Sequence, residues 1–153
     1  REIRVHGQSK RYYHTRIGVG GRMDTMQCAI VLAKLEHFPW EVEKRIEIGN
    51  RYNKLLDENG ISRITQKSDR TSVFAQYTIV TENRDKLQEK LKSVGIPTAV
   101  HYPIPLDEQP AYSQFCSSKD NPLSSNLSKK VMSIPMSPNL TMQEQDWIVK
   151  ELI

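Results

Sequence analysis

The residues best suited to chemistry in this 153-residue chain fall in two short strings. The first is IGVGGRMD at 17–24, where Gly18, Gly20 and Gly21 precede Arg22 and Asp24. Glycines beside a helix start present backbone N–H groups to a phosphate, and an arginine adds a permanent cation. The second is AVHYPIP at 99–105, where His101 and Tyr102 end an apolar run that breaks into Pro103 and Pro105. A strand end of that kind projects its last side chains into a cleft, a common place for binding residues.

Each string has a plainer reading beside the chemical one. A dinucleotide fingerprint needs glycines at the first, third and sixth places, and Gly18, Gly20 and Gly21 miss the last. A Walker-type loop needs Lys and then Ser or Thr, where this chain has Arg22 and Met23. Two readings remain, an anion loop of exposed N–H groups or a connector with a permissive backbone. Asp24 reads equally as a helix cap and Arg22 as a surface charge. His101 reads as a binding residue or as a histidine that only hydrogen-bonds its loop.

Other chemistries find less support. His6 and His14 stand eight apart in a polar stretch, His37 and His101 stand alone, and Cys28 and Cys116 lack ligand spacing, so no metal site is predicted. No serine sits in a context that marks a nucleophile. The net charge of +4 is spread along the chain without a long basic run, which argues against a nucleic-acid partner. No stretch approaches the roughly 20 apolar residues that span a bilayer, and the basic first eleven residues lack the apolar block of a secretory signal. Cys28 lies in an apolar run and reads as a buried free thiol, Cys116 in a polar loop. Unlike settings argue against a disulfide, and a reducing cytoplasm fits.

The elements that must position these residues follow from pattern. Residues 1–16 read as an extended connector. Asp24 caps a helix running to Leu35 or His37, and MQCAIVLAKLEHF is apolar on most faces, so burial on more than one side is expected. Pro39 opens a second helix that Gly60 ends, with Val42, Ile46, Tyr52, Leu55 and Leu56 on its apolar face. ISRITQKSDRTS is a loop or a short edge strand. SVFAQYTIVT reads as a strand, Asn83 starts a short helix closed by Gly95, and IPTAVHYP reads as the next strand. The stretch 103–122 is too broken for regular structure. Helical pattern returns at LSSNLSKKVMS, and Thr141 with Glu144 forms a capping box for a last helix with Trp147, Ile148 and Leu152 on its apolar stripe. The sum is an α+β fold: a small sheet flanked by helices, preceded by two long helices that need a partner. The first residue is not methionine, which suggests a fragment or a processed product.

Taken together, three ordered strings resemble one family. HGQSKRYYHTRIGVGGRMDTMQCAIVLAKL is similar to a segment of the DegT-type nucleotide-sugar aminotransferases, pyridoxal-phosphate enzymes of fold type I. The match runs through His6, Gly7, Tyr12 or Tyr13, His14, Ile17, Gly18, Arg22, Met23, Asp24, Gln27 and Ala29. GIPTAVHYPIPLDEQPAY and MSIPMSPNLT resemble two further family strings in the same order, and PTAVHYPIPL looks closest to members that aminate a UDP-linked 3-keto sugar acid for surface polysaccharides such as O-antigen.

The resemblance implies roles for particular residues. Arg22 would reach into the neighbouring subunit of a homodimer and contact the anionic part of the substrate. His101 and Tyr102 would line the nucleotide-sugar pocket of their own subunit. Gly20 stands where the family has an asparagine that bonds the cofactor phosphate across the dimer interface. The resemblance also implies pyridoxal 5'-phosphate as cofactor, glutamate as amino donor and a Schiff-base lysine upstream of residue 1, which would leave this segment inactive alone. On this basis residues 1–37 are expected to be the connector and interface helix from the end of the large domain, and 38–153 the C-terminal small domain. The alternative is a stand-alone non-catalytic relative with a regulatory or assembly role.

Overall fold

The computed structural model describes residues 1–112, 114–116 and 121–153. They form two compact units, Arg1–Pro39 and Trp40–Ile153. Among the described residues there are five α-helices and two small sheets, an α+β architecture as the sequence predicts.

The first unit begins with a hairpin of β1 (Gln8–Lys10) and β2 (Tyr13–His14), where the sequence pattern suggests only an extended connector. Tyr12 at the turn adopts a positive φ of 60°. The strands are short and half bare, so no alternating apolar pattern marks them. Arg22 and Asp24 follow a backbone crossing held by the bridge between Val5 and Gly20. Helix α1 (Thr25–Leu35) starts where expected, with the Asp24 carboxylate accepting from the Met26 N–H at 2.8 Å. The expected burial is absent: α1 has no buried residue, and Met26, Ile30 and Leu32 are all exposed. Cys28 is half-buried instead of buried, and both cysteines are free.

Helix α2 (Phe38–Glu58) takes Pro39 in its first turn, where a missing N–H costs nothing, and Gly60 ends it at φ +67°. It buries Ile48, Gly49, Tyr52 and Leu56. Strand β3 (Tyr77–Val80) is shorter than the ten-residue run predicted. Phe74 turns the chain at φ 45°, stacks on Tyr77 at 5.7 Å and fills the space left by Gly49, where a Cβ would lie 2.2 Å from its ring. Helix α3 (Arg84–Ser93) follows, and Gly95 at φ +83° closes it.

Two elements differ from the sequence reading. IPTAVHYP is not a strand; it touches the sheet through one antiparallel bridge between Ala99 and Ser133. Pro97, Pro103 and Pro105 lack the N–H groups a longer ladder would use. VMS continues no helix either. Helix α4 (Pro122–Ser128) stops, and Val131–Ile134 forms β4, paired antiparallel with β3 in the register Tyr77 to Ile134 through Val80 to Val131. All four β4 residues are buried. A short run covered on both faces shows no period-two alternation, so pattern cannot separate it from a helix.

Helix α5 (Met142–Leu152) carries the predicted capping box: the Glu144 N–H donates to Thr141 Oγ1, and the Thr141 N–H donates back to Glu144 Oε2. Its inner face is Gln145, Ile148 and Val149, while Trp147 is exposed. Gln145 is buried because its amide donates to the Ile48 carbonyl at 3.0 Å. The core of this unit joins Ile48, Tyr52 and Leu56 to Ile79, Leu91, Met132, Ile134 and Ile148. Burial of each such side chain contributes about 1.5–3 kcal/mol, which holds β4 and the segment bridged to it in place.

Candidate functional site

The loop at 17–24 is shaped by one close approach. A Cβ on Gly18 would lie 2.3 Å from the Gly7 nitrogen and 2.4 Å from the Ile3 carbonyl oxygen, so this backbone crossing has room only for glycine. Gly7 has φ +76°, and a Cβ there would meet the Arg16 carbonyl oxygen. Gly18 is therefore a packing contact that helps fix where Gly20 and Arg22 emerge.

Gly20 and Arg22 line one polar cleft of about 480 Å³ with His6, Met23, Asp24 and Thr25. Around Gly20 the cross-strand bonds run from the His6 N–H to the Val19 carbonyl and from the Gly21 N–H to the Arg4 carbonyl. The N–H of Gly20 itself makes no hydrogen bond among the described residues. The Arg22 guanidinium is exposed and has no ion pair among them. Asp24 is already engaged as the cap of α1. The cleft thus offers a free cation, a free N–H and the Thr25 hydroxyl, a donor set that fits a phosphate or carboxylate. His6, at φ 59°, carries the ring nearest Gly20, with Cε1 3.1 Å and Nε2 3.4 Å from where a Cβ would stand. Sequence spacing gave no reason to single out His6 for this place.

His101 and Tyr102 line a second cleft, about 630 Å³ and mainly apolar, with Ile104, Leu106, Leu127 and Val131 among its walls. The Ala99–Ser133 bridge sets the backbone two residues before His101: the Ala99 N–H donates to the Ser133 carbonyl at 3.1 Å, and the Ser133 N–H donates back at 2.7 Å. The His101–Tyr102 peptide is cis. The two rings meet edge to face at 5.7 Å, and Tyr102 is 73% exposed. Beyond the cleft-lining Leu106, Asp107 holds Oδ2 buried without a hydrogen-bond partner among the described residues. An apolar wall with a few polar groups is the usual make-up of a site for a ring-bearing organic ligand. Ser133, which bonds the His101 ring, is a residue pattern reading missed, since VMS reads as helix there.

Comparison with known proteins shows what the chain is similar to. The model of the DegT/DnrJ/EryC1/StrS aminotransferase family matches residues 1–153. UDP-2-acetamido-2-deoxy-3-oxo-D-glucuronate aminotransferase of Pseudomonas aeruginosa is 44% identical over 140 residues, 92% of this chain and 38% of that protein. The pleiotropic regulatory protein of Geobacillus stearothermophilus is 38% identical over 99% of this chain and 42% of its own length. A solved DegT DnrJ EryC1 StrS aminotransferase from Brucella abortus has a TM-score of 0.91 at 35% identity, over 99% of this chain and 41% of its own. S. venezuelae DesV has a TM-score of 0.92 at 28% identity, over 99% and 42%. The chain spans about two fifths of the length of these relatives. With one family model running from its first residue to its last, over a fold shared with that family's solved structures, the chain belongs to the DegT/DnrJ/EryC1/StrS aminotransferase family.

Proposed function

We propose that these 153 residues are the C-terminal part of a pyridoxal-phosphate-dependent aminotransferase that moves an amino group from glutamate to a UDP-linked keto sugar, a 3-keto sugar acid, for surface polysaccharide synthesis. The observation that carries the reading is the 44% identity to the Pseudomonas UDP-3-oxo-glucuronate enzyme over 92% of this chain. The coverage of about two fifths of the relatives supports assigning the Schiff-base lysine to residues outside the segment, which leaves the segment inactive alone. The working protein is a cytoplasmic homodimer, with no membrane or nucleic-acid partner. Residues 1–37 belong with the end of its large domain and 38–153 form its small domain.

Pyridoxal phosphate, when bound, would supply the electron sink and carry the amino group between donor and acceptor. The residues of this chain bind and orient. Arg22, exposed and unpaired, takes the anionic part of the substrate in the neighbouring subunit's site. The unbonded N–H of Gly20 is the donor on this chain for the cofactor phosphate, in the place of the family's asparagine amide. His101 and Tyr102 hold the nucleotide portion, and the apolar wall of Leu106, Leu127 and Val131 keeps water from the ring that packs there.

The full-length protein incubated with pyridoxal phosphate, glutamate and UDP-linked 3-keto sugar acid forms 2-oxoglutarate. No 2-oxoglutarate with any keto sugar, despite bound cofactor, would falsify the reading. Gly20→Asn retains the cofactor more tightly in dialysis, once the His6 ring, whose Cε1 lies 3.1 Å from the new Cβ, moves aside by a few tenths of an ångström. Unchanged retention would assign the phosphate to another donor. A second reading, a regulatory relative without turnover, is favoured only by the name of the Geobacillus protein; it predicts cofactor binding without product.

A further inference from the structure

Behind His101, two hydroxyl groups line up across the sheet and end on its ring. Thr78 of β3 and Ser133 of β4 are register partners, and their hydroxyl oxygens lie 3.2 Å apart. Ser133 Oγ is also 3.2 Å from His101 Nδ1. Ser133 is 6% exposed, so this line runs through the interior and ends at the wall of the apolar cleft. The other ring nitrogen, Nε2, has no hydrogen bond among the described residues. One residue, Ser133, therefore fixes both the backbone before His101 and the orientation of its imidazole.

We propose that Ser133, backed by Thr78, is a positioning residue that holds the His101 ring with Nδ1 toward the sheet and Nε2–H toward an oxygen of a nucleoside diphosphate in the cleft. The inference rests on the assignment of that cleft to the nucleotide portion of the substrate. A serine hydroxyl has one proton and two acceptor sites. When Thr78 donates to Ser133, the Ser133 proton goes to Nδ1, and a neutral imidazole then carries its own proton on Nε2. The reverse order would leave Nε2 an acceptor, which no phosphate or carbonyl oxygen satisfies. A ligand presenting oxygens thus selects the first order. A charged imidazolium donates at both nitrogens, and the two hydroxyls turn to receive the second proton.

The test uses the full-length protein and UDP as probe. Calorimetric titration of Ser133→Ala gives UDP binding weaker by about fivefold, the loss of one ordinary hydrogen bond, and Thr78→Val about twofold. Ser133→Thr restores binding to within about twofold of the starting protein. In protein labelled with 15N-histidine, the UDP complex carries a proton on His101 Nε2, a signature a merely structural serine does not set. A proton on Nδ1 alone overturns the proposal, whether or not the variants fold. So does unchanged UDP affinity in Ser133→Ala when His101→Ala weakens binding. If His101→Ala is also without effect, the assignment of the cleft itself fails.

Discussion

Helices α1 and α5 have the same length, eleven residues, and both are capped at the N-terminus by a side chain, Asp24 in one and Thr141 in the other. Their fates differ. The final helix buries Gln145, Ile148 and Val149 in the core of its unit, beside α3 and bonded through Gln145 to Ile48 of α2, while α1 buries nothing although its sequence is the more apolar. Apolar content states how much surface a helix has to cover. Whether it is covered depends on which other elements face it, and within the unit Arg1–Pro39 nothing large enough does.

The contrast is sharpest in truncations. In the 153-residue chain, Ile148→Ala costs about 2–5 kcal/mol by urea unfolding, the range for a buried large-to-small change, whereas Leu32→Ala costs less than about 0.5 kcal/mol. Equal losses would mean that α1 is covered after all. In the full-length protein Leu32→Ala is expected to become costly, because the proposed large domain is what such a helix needs.

The tyrosines extend the comparison to pH. Tyr12 and Tyr13 are exposed in the first unit, while Tyr52 and Tyr77 are buried in the second. Burial raises Tyr52 above the usual phenol range and pushes Tyr77 up to about 12, with the nearby Arg63 partly opposing that rise. A folded value raised above the unfolded 10.0 contributes stability that is complete below pH 10 and lost as pH climbs toward 12. Alkaline unfolding, followed by tyrosinate absorbance, should therefore set in within that window. A Tyr77→Phe variant that unfolds with the same pH dependence would break the argument.

Smaller effects separate the glycines and the caps. Gly18→Ala drives a Cβ into backbone atoms that cannot swing away and costs the first unit about 1–3 kcal/mol, seen as lost amide protection at His6 and Val19. Gly20→Ala, which meets only the end of the His6 ring, leaves that protection nearly intact. Thr141→Ala costs about 1 kcal/mol in thermal unfolding. The Thr141 backbone N–H and then its hydroxyl hold the Glu144 carboxyl below the usual glutamate range, so that contribution is present at neutral pH and fades as pH falls through the lowered value. The variant should show a shallower acid limb.

How much of this was legible beforehand depended on the range of the cause. Caps, helix-ending glycines and the first turn at Pro39 were readable because they arise from atoms a few residues apart. β4 was not, since Val131–Ile134 becomes a strand only by lying against Tyr77–Val80, some fifty residues earlier. The strand predicted at 96–103 shrank to the Ala99 bridge, whose two hydrogen bonds are not continued, and Pro97 and Pro103 have no N–H to extend the ladder. The glycine string has the composition of an anion loop, yet Gly18 packs against the backbone of Gly7 and Ile3, contacts that no spacing rule encodes.

The sequence by itself determined that the helices of this protein exist and where α1, α2, α3 and α5 are capped or closed, its family strings, and the residues, Arg22, His101 and Tyr102, that stand out chemically. Local hydrogen bonding and backbone sterics act within a turn, so they can be read along the chain. Only the tertiary structure decided that Gly20 joins His6 and Arg22 at one polar cleft, and that Ser133 and Thr78 stand behind His101 at the other. Those groupings come from burial and cross-strand register, which join residues that the chain keeps far apart.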